Sequence, residues 1–210
     1  MTTREQATAT ATTTSRRSKI SPERAQELYD AVLEQLRTNG YEALTMEGVA
    51  AHASCSKSTL YRQWKTKPQM VAAALLAGRC VKFFSADTGT LAGDLVAAAR
   101  NAGAQAKRDT SLIQALGHAV LQDAELKCAL RGALVDPEIA SINAMVERAV
   151  ARGEIAADHP ALPYLAAQLF GVMRSRPVLE GCDADVDYLV RFVENVLIPG
   201  LGLTLPDQAT

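Results

Sequence analysis

Apolar residues recur along most of this chain at spacings of three and four, the period of one face of an α-helix. Ala25, Leu28, Val32 and Leu36 share such a face. Ser21 stands where an N-cap is needed, Pro22 suits a first turn, and Glu23 lies toward the positive end of the helix dipole. Asn39-Gly40 supplies a stop. A short second helix is predicted from a Thr45 cap through Ala51, with Met46, Val49 and Ala50 as its apolar positions. Ala53-Ser54-Cys55 makes a tight connection, and Ser56 caps a third helix from Lys57 to about Trp64. A fourth begins near Pro68. Further helices are predicted at about 91–107, 110–121, 124–133, 136–152, 160–175 and 184–198. Asp136-Pro137-Glu138 starts one of them. Arg152-Gly153, Arg176-Pro177 and Pro199-Gly200 end others. No stretch alternates like a strand and no internal repeat appears. The expected class is all-α.

Composition agrees with this. Alanine is abundant, aromatics make up 5% and there is one Trp, a mixture that favours helices. A length of 210 residues allows one large domain or two modest ones. No apolar run approaches the roughly 18 residues of a membrane span. The N-terminal stretch lacks the apolar core of a secretory signal, so a cytoplasmic location is expected. Cys55, Cys80, Cys128 and Cys182 form no CxxC pair and read as small buried apolar residues. Neither a zinc site nor a disulfide framework is expected.

The net charge of −1 changes meaning once it is divided. The first 68 residues carry ten basic and seven acidic side chains, a net of +3, and the remainder twelve and sixteen, a net of −4. Basic charge therefore gathers near the N-terminus, as expected if only that part meets phosphates. Residues 1–19 form a Thr/Ala-rich tail ending in Arg16, Arg17 and Lys19. Its low apolar content predicts disorder. A basic arm along the DNA backbone or in a minor groove is the functional alternative.

The second and third helices, joined by a three- to four-residue turn, have the helix-turn-helix arrangement. An α-helix fits the major groove, where base edges display a readable donor and acceptor pattern. On the third helix Leu60 and Trp64, four apart, can anchor inward. Ser56 caps it, and Lys57, Ser58, Thr59, Tyr61, Arg62 and Gln63 can face outward. Thr45 at a helix start, the Tyr61 hydroxyl and Lys67 just before a helix are placed to grip phosphates.

The run Gly40-Tyr41, Leu44-Thr45-Met46, Val49-Ala50, Ser56 through Arg62, Trp64 and Lys67 resembles the DNA-binding segment of TetR-type repressors, over residues 22 to about 75. The resemblance implies that Thr45, Tyr61 and Lys67 hold phosphates and that the start of the third helix touches bases. Family members usually carry Gly-Val where this chain has Ser54-Cys55, Phe in place of Trp64, and often His in place of Gln63. It further implies an N-terminal three-helix domain over 20–68 and a C-terminal bundle of about six helices over 69–204. The bundle would bind an effector and dimerise through helices at about 160–175 and 184–198, whose apolar residues include Leu169 and Val190. A mostly apolar pocket is implied in the bundle, with Phe84, Leu112, Leu116, His118, Leu134, Met145, Gln168 and Met173 as lining candidates. For any single one of these, ordinary core is the simpler role. His118 in particular reads as a core histidine.

The expected activity is that of a transcriptional repressor. It would bind palindromic operator DNA as a homodimer and be released by a small, mostly apolar effector. An architectural DNA-binding protein without effector is the alternative. An enzyme is not expected: Ser54-x-x-Lys57 lacks the companion motifs of penicillin-binding enzymes, His52, His118 and His159 are scattered, and no Gly-rich phosphate loop appears. No cofactor or metal is implied.

Overall fold

The computed structural model describes residues 20–78 and 82–205, with side chains 107–111, 113 and 114 left aside. The N-terminal tail and Cys80 lie outside the described residues. The described chain is all-α: α1 (Pro22–Ala43), α2 (Met46–His52), α3 (Lys57–Gln63), α4 (Lys67–Ala77), α5 (Leu91–Gly117), α6 (Ala119–Gln122), α7 (Ala124–Leu130), α8 (Asp136–Ala151), α9 (Leu165–Glu180), α10 (Val186–Phe192) and α11 (Ile198–Gly200).

Local chemistry starts most of the early helices. Ser21, Thr45, Ser56, Thr66 and Thr90 cap α1 to α5, each side chain accepting a backbone N–H three residues on. Gly40, at φ 75°, breaks α1 as its Asn-Gly stop predicts, and the chain resumes for one further turn. Leu28, Leu36, Leu44 and Leu60 are fully buried beneath the first three helices. Each contributes roughly 1.5–3 kcal/mol by leaving water. Trp64 closes that core against Tyr29, edge to face at 5.5 Å.

The core does not divide at residue 68. The cluster beneath the N-terminal helices also holds Met70, Val71 and Ala74 of α4, Leu112 and Leu116 of α5, Ala119 of α6 and Leu126 of α7. A second cluster joins the first half of α5 to α8, α9 and α10. It is tied at its edges by buried carboxylates. Asp94 accepts from the Thr88 hydroxyl at 2.9 Å and from Arg148 at 3.2 Å. Glu138 accepts from the backbone N–H groups of Phe83 and Phe84.

Three boundaries differ from expectation. The helices expected at 91–107 and 110–121 are one continuous α5, because the polar run Lys107–Thr110 contains no residue that breaks a helix. Asp136-Pro137 starts α8 as expected, and the chain enters it from α7 without a break. A π turn over Arg131–Val135 links α7 to α8, and Asp136 N–H reaches back to the carbonyl of Arg131. A second π turn, Val193–Leu197, links α10 to α11 just before Pro199. A proline ring clashes with the carbonyl four residues earlier, and a widened turn moves that carbonyl aside. Finally, α9 passes through Pro177 to Glu180 and stops at Gly181, at φ 69°. Arg176 holds this last turn: it bonds Glu180, Asp185 and the Asp183 carbonyl, and stacks 3.9 Å from the Tyr188 ring.

The cysteine expectation is overturned. Cys128 and Cys182 are exposed and Cys55 is half-buried. Cys55 and Cys182 lie in connections between helices, and on α7 the buried position is Leu126, two residues before Cys128.

Gly103 is where α5 meets the start of α10. A Cβ there would lie 2.5 Å from both Cα and N of Val186. Gly103→Ala is therefore expected to destabilise the protein by about 1–3 kcal/mol, despite the roughly 1 kcal/mol gained in helix propensity. Chemical denaturation checks the sign.

Candidate nucleic-acid interface and ligand cavity

The turn between α2 and α3 is built from backbone hydrogen bonds. Ala53 N–H donates to Val49, Ser54 N–H to Ala51 and Cys55 N–H to Ala50. Ser54 occupies the left-handed region at φ 48°, the one non-glycine residue to do so among the described residues. That conformation costs a non-glycine residue roughly 1–2 kcal/mol. Arg24 offsets part of the strain by donating to the carbonyls of both Ala53 and Ser54. Nothing in the local sequence marks Arg24 for this role, since its partners lie about one helix-turn-helix unit away along the chain.

Helix α3 presents a divided surface. Leu60 is fully buried and Trp64 nearly so, while Lys57, Ser58, Tyr61, Arg62 and Gln63 are exposed and Thr59 is half-exposed. The Ser56 hydroxyl lies 2.9 Å from that of Ser58 and 2.8 Å from that of Thr59, a linked row of short polar groups at the helix start. Lys57 pairs with Glu47 of α2 at 3.3 Å. The backbone N–H of Glu47 and then Lys57 hold that carboxyl below its ordinary range. The residues expected from sequence on α3 are thus its solvent-accessible ones, and Leu60 and Trp64 are the anchors beneath them. Thr45 is exposed at the start of α2, its hydroxyl accepting from Gly48 N–H at 3.0 Å.

Lys67 belongs to a different arrangement. Its ammonium donates to the Tyr41 carbonyl at 3.1 Å and lies 4.0 Å from the centre of the Tyr41 ring. The Tyr41 hydroxyl donates at 2.8 Å to Asp123, which caps α7 by accepting from Leu126 N–H. Burial, and next the bond to Asp123, raise the Tyr41 hydroxyl above its ordinary range. The Leu126 N–H, followed by Tyr41, lowers the Asp123 carboxyl. Tyr41 and Asp123 are 82 residues apart, and no sequence signal pairs them.

Beyond this contact lies a cavity of about 220 Å³. Its wall runs from Leu75 of α4 through Ala102 and Leu116 of α5, Leu130 and Leu134 around the first π turn, to Phe170 and Met173 of α9. Of the expected lining residues, Leu116, Leu134 and Met173 are there. Phe84, Leu112 and Met145 are core instead, Phe84 standing edge to face with Phe170 at 5.9 Å. Gln168 is half-buried on α9, outside the wall. His118 is exposed at the junction of α5 and α6 and is not a core histidine. Helix phase explains these misses, because apolar periodicity does not say which neighbour an apolar face meets.

A polar-faced short helix, held by a tight turn on an all-α body, defines the class of helix-turn-helix proteins. Known families agree. Residues 28–74 match the family of bacterial regulatory proteins called tetR, and residues 85–196 match the tetracyclin repressor-like C-terminal domain. The chain is 34% identical over 183 residues to a DNA-binding transcriptional repressor TetR of Mycobacteroides abscessus, covering 83% of this chain and 92% of that one. It is 30% identical over 178 residues to an uncharacterized HTH-type transcriptional regulator of Mycobacterium tuberculosis, covering 85% and 88%. A crystal structure of a TetR family transcription regulator superposes with a TM-score of 0.66 at 28% identity, over 85% of this chain and 98% of the other. This chain belongs to the tetR family: it is a DNA-binding transcription regulator and not an enzyme. Among the described residues no helix is long and apolar enough to cross a membrane.

Tyr41→Phe keeps the ring beneath Lys67 and removes only the bond to Asp123. It is expected to lower the melting temperature by a few degrees. The lowered Asp123 carboxyl contributes stability above an ordinary aspartate pKa near 3.9, lost as pH falls further. The raised Tyr41 hydroxyl contributes below about 10, lost as pH rises further. The difference between wild type and Tyr41→Phe should therefore be flat from about pH 5 to 9 and shrink at both ends. Thermal melts across that range measure it.

Proposed function

We propose that the protein is a repressor that binds a palindromic operator as a homodimer and is released by a small, mostly apolar effector. The observation that carries this reading is the shared core. The helices that present α3 and one wall of the cavity pack through the same apolar cluster, with Leu75 of α4 facing the cavity. A ligand that favours a different packing there must change how α3 is held, by as much as its affinities for the two packings differ. The contact from Lys67 through Tyr41 to Asp123 offers a polar route between the same two regions. In this reading residues 20–68 read DNA, and residues 69–204 bind effector and dimerise.

Thr45, Tyr61 and Lys67 would grip phosphates, which fixes register without reading sequence. Ser56, Lys57, Ser58, Thr59, Arg62 and Gln63 would face base edges or the adjoining backbone. Lys57 must leave Glu47 to do so. Two copies of α3 would enter successive major grooves roughly 34–36 Å apart, or a multiple of that. A dimer seated on a promoter represses by obstructing polymerase.

Helices α9 and α10, with the π turn that follows, would form the dimer interface. Tyr164, Val178, Leu179 and Val196 are large apolar side chains left exposed in the single chain, Val178 at 84% and Leu179 at 79%. Exposed apolar side chains on these helices are the kind of surface that a partner would cover. Val178 and Leu179 lie on the turn of α9 beyond Pro177, outside the span at first expected.

A gel shift with the DNA upstream of the protein's own gene tests the central claim, and no binding at low salt would sink it. Lys67→Ala should weaken binding to all sequences and reduce the salt slope by about one. Tyr61→Phe should also weaken all sequences alike. Lys57→Ala and Thr59→Ala should instead change sequence preference, by about 1–3 kcal/mol at the affected base pair. Identical behaviour of the two pairs would refute this division of roles. For the interface, the double variant Val178→Ser, Leu179→Ser should sediment as a monomer where wild type sediments as a dimer.

A further inference from the structure

The cavity wall is apolar with one exception. Among the described residues that line it, Arg174 of α9 alone carries a charge. Arg174 is exposed, as is Leu121 of α6, so the two mark the open side of the cavity.

Four other arginines of the C-terminal part have carboxylate partners, while Arg100 and Arg191 have none among the described residues. Arg131 pairs with Asp136, Arg148 with Asp87 and Asp94, and Arg152 with Glu154. Arg176, two residues beyond Arg174, is tied to Glu180 and Asp185. Arg174 has no such partner among the described residues. Its guanidinium stands at the mouth of an apolar space with all its donors available to a ligand.

That combination selects a ligand chemistry. An apolar body gains by entering the cavity, and a few polar fixtures set its orientation. A guanidinium binds planar or tetrahedral oxyanions through paired, charge-assisted hydrogen bonds. At the edge of a low-dielectric space that attraction is stronger than in open water. Among the described residues of the wall there is no acidic side chain to pair with a cationic ligand, whereas Arg174 offers a partner to an anionic one.

We infer that the site takes an amphipathic organic anion, its apolar body in the cavity and its carboxylate, sulfonate or phosphate head on Arg174. This rests on the proposal above that the cavity is the effector site.

Two fluorescent probes with one skeleton separate the two claims. 1-Anilinonaphthalene-8-sulfonate carries an anionic head, and N-phenyl-1-naphthylamine lacks it. Both are titrated into the full-length wild type, Arg174→Gln, Arg174→Lys and Leu134→Trp, with folding checked by circular dichroism. The expected result is that Arg174→Gln weakens the sulfonate probe about tenfold, as loss of a charge-assisted pair does, and leaves the uncharged probe within about twofold. Arg174→Lys should recover most of the sulfonate affinity, and raised salt should reduce it in wild type. Leu134→Trp, which fills the cavity, should weaken both probes. If Arg174→Gln affects both probes equally or neither, the anion site is wrong, while loss of both in Leu134→Trp would keep the cavity as a ligand site. If Leu134→Trp leaves both unchanged, or if wild type binds neither probe, the cavity reading itself falls.

Discussion

Helix α4 is apolar on more than one side, and the rest of the molecule is arranged around its burial. Pro68, Met70, Val71, Ala72 and Ala74 are all buried. A helix of this kind cannot lie on a surface with one face in water. It must be enclosed, and here α1 packs on one side and α7 on another. This joins the first three helices to the second half of α5, α6 and α7 in one apolar cluster, beside the second cluster of α5, α8, α9 and α10. Motion of α7 relative to α1 therefore disturbs packing that also holds α3, because close-packed interiors transmit displacement.

The polar contacts follow that geometry. Lys67 begins α4, Asp123 caps α7, and Tyr41 ends the segment after the Gly40 break. The three meet because α4 brings α1 and α7 together. Each has a local duty as well, as a helix start, a cap or a core ring. Asp123 is the clearest case. Its carboxylate accepts from the Leu126 N–H at 2.9 Å on one oxygen and from the Tyr41 hydroxyl on the other. One side chain thus serves both a helix end and the junction between the two regions.

Proline governs the C-terminal half in a less usual way. Pro137 and Pro199 each follow a π turn by two residues, and both helices continue across them. The widened turn removes the clash that would otherwise end the helix. The first such turn carries Leu134 and Val135 into the cavity wall. Pro177 is absorbed differently, by the grip of Arg176 on the start of α10. At Pro177 and Pro199 proline punctuation predicts an end that tertiary contacts or turn widening override, while at Pro137 it predicts the start that α8 makes.

The sequence alone determined what depends on neighbours a few residues apart. The caps at Ser21, Thr45, Ser56 and Thr66 act over three residues, and Leu60 and Trp64 face inward because helical spacing puts them there. The helix-turn-helix face and the all-α class were legible for that reason, as was the unusual Ser54 in the turn. Only the tertiary structure decided what depends on how distant helices meet. It separated Leu116, Leu134 and Met173 in the cavity from Leu112 and Met145 in the core, though all five are apolar residues on helices. It joined Tyr41 to Asp123 and Arg24 to the α2–α3 turn, and it set Gly103 against Val186. It also left Arg174 without a carboxylate partner among the described residues while its neighbour Arg176 has two. Periodicity specifies that a face is buried. Which neighbour buries it is fixed by the relative placement of several helices, and no local pattern encodes that placement.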